Sequence, residues 1–198
     1  MISNQLINYL TTNYLEILGV LLTFCYLFFS VRGKIWLWVF GLLSAVLYLI
    51  VFYQNRFYAV GTLQIYYIVI SIYGFWQWAK KDTDKTDELK TKNISSKQLL
   101  ATSTLVVAFW GVLWIVLSKY TDSPVPAGDA FTTSMAIVGT WLLVKKVLEN
   151  WIFFIISDLI SIALFIYQGL YPTTLLFVVY TIMGIIGYFN WKRDMRKN

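Results

Sequence analysis

Seven stretches of about twenty apolar residues, starting near Tyr14, Ile35, Phe57, Leu99, Ala127, Trp151 and Tyr171, constrain this chain more than anything else in it. A helix needs roughly 20 apolar residues to cross a bilayer, and lipid offers backbone N–H and C=O groups no partners, so such runs are expected to fold as a helical bundle. Composition agrees. At 59% hydrophobic and 13% charged residues over 198 positions, there is too little polar surface to cover a water-soluble domain of this size. The expected fold class is therefore an all-α membrane protein with seven transmembrane helices in a single transmembrane domain, 1–198. Residues 1–13 have neither a basic n-region nor a small-residue cleavage site, so they read as a short interfacial segment rather than a removed signal.

The net charge of +6 does not point to nucleic acid, because its distribution follows the membrane. Sorted by the connections of a seven-span chain, 14 basic residues fall on one side, while Arg56 and Lys119 alone fall on the other. Basic loops stay cytoplasmic, which places the N-terminus outside and the C-terminus in the cytoplasm. The stretch 80–98, "KKDTDKTDELKTKNISSKQ", is mixed in sign, lacks aromatic residues and reads as a cytoplasmic linker. The stretch "DSPVPAGD" holds two of the three prolines and reads as an external turn. With no His and a single Cys, Cys25, neither disulfides nor metal chemistry are expected, and no cofactor is implied. Without His, a Cys beside a base, paired carboxylates or a phosphate loop, no acid-base or nucleophile constellation can be assembled, which argues against an enzyme.

The chain writes one phrase twice. "IYGFWQW" ends at Trp78 and "IIGYFNW" at Trp191, each followed by basic residues. At this displacement of 113 positions Tyr67 meets Tyr180, Gly74 meets Gly187, Trp78 meets Trp191 and, upstream, Trp38 meets Trp151. Matched Leu and Ile would mean little between apolar helices, whereas matched Tyr, Gly and Trp carry weight. Spans two and three thus correspond to six and seven, span one to five, and span four stands alone. The expected plan is 3+1+3, with a first repeat at 14–79, the linker at 80–98, a linker helix at 99–118 and a second repeat at 127–191. An odd number of spans per repeat, with one span between, makes the repeats parallel about an axis along the membrane normal. Parallel repeats of this kind occur in SWEET transporters, and solute sites in such proteins lie near the midplane between repeats.

Ionisable groups deep in a bilayer cost roughly 2.5–3.5 kcal/mol or more and persist where they line a path or find a partner. Asp158 lies seven residues into span six after Trp151, about 10 Å along a helix. Trp151, Asp158 and Phe165 recur at heptad spacing on one face, where aromatic plates and an anion would suit a flat cationic ring. The alternative is that Asp158 is paired for packing. In span three Gln64, Tyr67, Ser71, Gly74 and Trp78 form one stripe, matched in span seven by Phe177, Tyr180, Gly184, Gly187 and Trp191. The small residues and terminal Trp suit helix packing, while a buried Gln64 amide has several polar atoms to satisfy and is a candidate for solute contact. Tyr67 and Tyr180 are expected to face each other across the pseudo-axis. Span five, with Asp129, Thr132, Thr133, Ser134 and Thr140, reads as lining a water-accessible cavity. Asp129 stands at its positive N-terminal end, which favours an acid.

The segments "YAVGTLQIYYIVISIYGFWQW" and "ENWIFFIISDLISIALFIYQGLY" resemble the PnuC family of bacterial vitamin transporters, over most of the stretch 35–191. The resemblance implies a SWEET-like fold, often a homotrimer, in the bacterial inner membrane. It also implies facilitated diffusion of nicotinamide riboside, trapped inside the cell when a cytoplasmic kinase phosphorylates it. Family binding residues carry over to Gln64, Tyr67, Trp151 and Tyr180, with Asp158 adjoining. Relatives with Trp at position 67, or Asn at Ser44 or Asp158, differ from this chain there, and members similar in fold take thiamine, riboflavin or deoxynucleosides. Nicotinamide riboside and thiamine each carry a fixed positive ring, which suits one deep carboxylate better than neutral riboflavin does. The competing class is a non-transporting membrane component whose repeat merely packs helices.

Overall fold

The computed structural model describes residues 14–54, 58–80 and 90–197 as seven α-helices. They are α1 (Tyr14–Val31), α2 (Trp36–Gln54), α3 (Tyr58–Ala79), α4 (Ser96–Tyr120), α5 (Pro126–Val144), α6 (Asn150–Tyr167) and α7 (Tyr171–Lys197). The segment at 1–13, Arg56 and linker residues 81–89 lie outside the described residues. Among those described, Trp36–Gln54, Ser96–Tyr120, Pro126–Val144, Asn150–Tyr167 and Thr173–Lys197 are long and apolar enough to cross a membrane, and Ile17–Val31 is a shorter apolar helix. The chain forms two compact units, Met1–Lys81 and Asp82–Asn198. In the first, α2 packs on both α1 and α3; in the second, α4 packs on α5, α5 on α6 and α6 on α7.

Each unit repeats the other's local geometry at a displacement of 113 positions. The helix before the first turn ends with Gly33 at φ 62°, its N–H on the Ser30 carbonyl (2.9 Å) and the Lys34 N–H on that of Phe29 (3.0 Å). In the second unit Lys146 has φ 53°, its N–H donates to Leu143 (2.9 Å), and Val147 donates to Leu142 (3.0 Å). Both are Schellman closures, in which a left-handed residue lets the chain reverse while the last helical carbonyls keep donors. Across the helices, Ser44 Oγ donates to the Gly19 carbonyl (3.4 Å), and Ser157 Oγ to that of Thr132 (3.0 Å). Trp38 meets Trp78 edge-on at 5.6 Å and 87°, and Trp151 meets Trp191 at 5.6 Å and 89°. Such aromatic pairs add about 0.5–1.5 kcal/mol beyond their burial.

The glycines explain how the indoles fit. A Cβ on Gly74 would stand 2.6 Å from the Trp38 ring, and one on Gly187 2.5 Å from that of Trp151. The matched phrase is therefore a packing device: a Gly flat under one Trp, followed one turn later by a second Trp against its edge. The second unit adds α4, started by a capping box in which Ser95 Oγ accepts the Gln98 N–H and Gln98 Oε1 accepts that of Ser95. Trp110 fastens α4 to α5 by donating to the Ala127 carbonyl (2.9 Å) and meeting Phe131 edge-on. Val106, Met135, Val138, Leu142, Val147 and Phe153 form the core there, with Ile94 of the linker packed against them.

Candidate functional site

The α3 stripe divides into a closed half and an open half. Ser71, Gly74 and Trp78 are buried, with Gly74 and Trp78 locked to Trp38, while Gln64 and Tyr67 are only half-buried. The same division recurs on α7. Gly184, Gly187 and Trp191 are buried against Ile155 and Trp151, whereas Phe177 and Tyr180 are half-buried and meet at a tilt of 56° with ring centroids 5.5 Å apart. In both units, then, the Trp-rich end of the helix is spent on packing, and the candidate polar groups stand toward the other end. Tyr67 lies edge-on to Tyr66 at 5.3 Å.

The face of α6 carrying Trp151, Asp158 and Phe165 is directed at α7. Trp151 meets Trp191 at one end of it, and Phe165 meets Phe177 at 5.0 Å at the other. Asp158 stands between these contacts, half-buried, on the stretch of α6 level with Tyr180 and Gly184. Within the second unit, Phe165, Phe177 and Tyr180 form one run of ring contacts beyond Asp158. The residue displaced by 113 positions from Asp158 is Ala45, so the carboxylate belongs to one repeat only. At the position corresponding to Gln64 stands Phe177. The matched positions of the two units thus share a backbone plan and differ in side-chain chemistry.

Trp151 is more deeply placed than a surface contact residue, at 3% exposed, and its Nε1 is buried with no acceptor among the described residues. Leaving such a donor unmet costs on the order of 1–3 kcal/mol. Trp38 Nε1 is in the same condition, so the unmet donor is a property of the repeat and does not by itself mark a solute site. Asn150, fully buried beside Trp151, gives Nδ2 to the Val147 carbonyl (2.6 Å) and leaves Oδ1 unmet among the described residues.

The polar residues of α5 serve the interior rather than a cavity. Ser134 and Thr140 are buried and return their hydroxyls to the Ala130 and Ala136 carbonyls one turn earlier. Thr132 Oγ does the same toward Gly128 and Asp129, while its carbonyl receives Ser157. Back-bonding of this kind lets Ser and Thr sit inside a helix bundle without water. Small hydroxyl residues also let α6 approach closely, and Gly139 meets Phe153 and Phe154 in the same way. Asp129 stands in the first turn of α5 and accepts a short hydrogen bond from Ser123 Oγ. Sequence reasoning missed the helix-to-helix bonds of Ser44 and Ser157, whose matched positions are too weak a signal by themselves, and missed Glu149, which accepts the Ile94 backbone N–H.

Residues 13–193 match the family model described as nicotinamide mononucleotide transporter. Among curated proteins, the nicotinamide riboside transporter PnuC of Escherichia coli is 24% identical over 188 residues, covering 83% of this chain and 79% of that protein. The nicotinamide riboside transporter PnuC of Neisseria mucosa is 26% identical over 180 residues, covering 84% of this chain and 67% of that protein. Among solved structures, the crystal structure of the vitamin B3 transporter PnuC aligns with a TM-score of 0.74 at 25% identity, covering 99% of this chain and 88% of that one.

Proposed function

The chain belongs to the nicotinamide mononucleotide transporter family, and from that premise we propose that it carries nicotinamide riboside across the bacterial inner membrane by facilitated diffusion. The similarity to transporters bearing that substrate's name, over most of both chains, supports the reading. The two three-helix repeats are parallel in a 3+1+3 SWEET-like arrangement and rock about the solute, exposing it to each side in turn. The displaced pairs of turns, serine bonds and tryptophans support this plan. With 14 basic residues on one side and 2 on the other, the N-terminus is outside and the C-terminus cytoplasmic. The delivered riboside is trapped by a cytoplasmic kinase, and the working assembly is a homotrimer.

The residues assigned to solute binding are Gln64, Tyr67, Trp151, Asp158 and Tyr180. The observation that carries the assignment is Asp158, an acid at mid-helix, half-buried, on the α6 face that also carries Trp151 and Phe165, and absent from the matching position, Ala45. A carboxylate at such depth is expensive unless it meets a positive charge. The pyridinium ring of nicotinamide riboside supplies that charge on a flat surface that stacks on aromatic faces. The test is a binding titration of Asp158→Asn with nicotinamide riboside and with its neutral reduced form. The substitution is expected to weaken the cationic ligand at least tenfold and the neutral one less than threefold. Equal losses would remove the electrostatic role. Thiamine, also cationic, is the competitor to include, and preferential binding of thiamine would transfer the assignment to it.

A further inference from the structure

The last residues of the linker are not a free tether. The Lys92 N–H donates to the Lys146 carbonyl (3.1 Å), and the Leu148 N–H donates back to the Lys92 carbonyl (2.9 Å), a single parallel bridge onto the α5–α6 turn. Two residues on, the Ile94 N–H donates to Glu149 Oε2 (2.8 Å). Ile94 packs on the core that includes Val147, and Ser95 immediately begins α4. One short segment thus joins the start of α4 to the turn between α5 and α6.

That turn needs support that its counterpart does not. Lys146 holds a left-handed backbone (φ 53°) where the first unit has Gly33 (φ 62°), and a residue with a Cβ gives up roughly 1–2 kcal/mol to sit there. The bridge to Lys92 grips the turn at this residue's own carbonyl and, two residues on, at the Leu148 N–H. The position matching Glu149 is Trp36, which has no carboxylate to receive a backbone N–H. Glu149 is therefore placed to do in the second unit what no residue does at the matching position of the first. A carboxylate accepting a backbone N–H makes a charge-assisted bond, about twice as strong as a neutral one.

We propose that Glu149 is a positioning residue, a latch that holds linker residues 92–94 on the α5–α6 turn so that α4, α5 and α6 move as one body, and that this latch stays closed throughout transport.

Hydrogen exchange of the reconstituted full chain tests the latch without any substrate. In Glu149→Ala the amides of Lys92, Ile94 and Leu148 are expected to exchange at least tenfold faster, with α7 unchanged. Glu149→Gln keeps a carbonyl acceptor and should stay within threefold. Ile94→Pro removes the donor and leaves the carboxylate, so it should free the Lys92 and Leu148 amides as Glu149→Ala does. Unchanged protection at Lys92 and Leu148 in both disrupting variants would overturn the latch. Persistence through the cycle is tested with Ile94→Cys/Glu149→Cys in a Cys25→Ser background, joined as a disulfide by oxidation. Nicotinamide riboside flux is expected within twofold of the unjoined protein, with KM unchanged, and flux lost on joining and regained on reduction would show that the latch must open. If the wild-type chain carries no nicotinamide riboside, the transport reading fails and the exchange measurement still decides the latch.

Discussion

Gly33 and Lys146 adopt nearly the same left-handed backbone, φ 62° and 53°, on the same Schellman pattern of hydrogen bonds. Glycine reaches this conformation without a steric penalty, so Gly33→Ala is expected to destabilise the first unit by about 1 kcal/mol. Thermal unfolding in detergent reads this as a modest fall in Tm, and no fall would mean that the turn relaxes away from positive φ. The equivalence was invisible in the sequence, because Gly and Lys share nothing as side chains and the signal lies wholly in the backbone. Ser44 and Ser157 are the opposite case: the identity is on the page at the same displacement, but Ser is too common between apolar helices to carry weight until both hydroxyls are seen on the facing helix. Asp158 was legible by contrast, since a lone acid in the middle of an apolar run is rare and costly.

At the scale of elements, the most informative residues were the bulkiest and the smallest. The Gly and Trp of "IYGFWQW" and "IIGYFNW" are one contact repeated, with Gly74 under Trp38 and Gly187 under Trp151. Gly74→Ala and Gly187→Ala should each push an indole out of place and cost about 1–3 kcal/mol, toward the upper end because the obstacle is a rigid ring face. Paired unfolding curves check this. Losses in Tm alike for the two variants support equivalence of the units, and a neutral outcome at either would show that its Trp moves freely. Helix α4 follows the apolar run from 99, begun slightly earlier by the capping box at Ser95. The destination of the linker was not legible, because two of its hydrogen bonds join backbone to backbone and the third, to Glu149, spans 55 positions. Which end of each stripe is closed was likewise hidden. Spacing places residues on one face but does not say where along that face the neighbouring helix draws near.

For the whole molecule, composition and run length were enough to read a helical membrane protein, because lipid leaves few other solutions for such a chain. The five long apolar helices and the match across residues 13–193 bear out that class and the reading of a transporter. The substrate was less legible, since on a common scaffold it turns on a few single side chains. The proposed passive carriage requires no ion gradient, and the direct measurement is uptake of labelled nicotinamide riboside into liposomes holding the purified chain. The expected result is entry down the solute's own gradient, at equal rates with and without an imposed pH or sodium gradient, reduced several-fold by Asp158→Asn. Entry that occurs only when a proton or sodium gradient is applied, or no entry above empty liposomes, would contradict it.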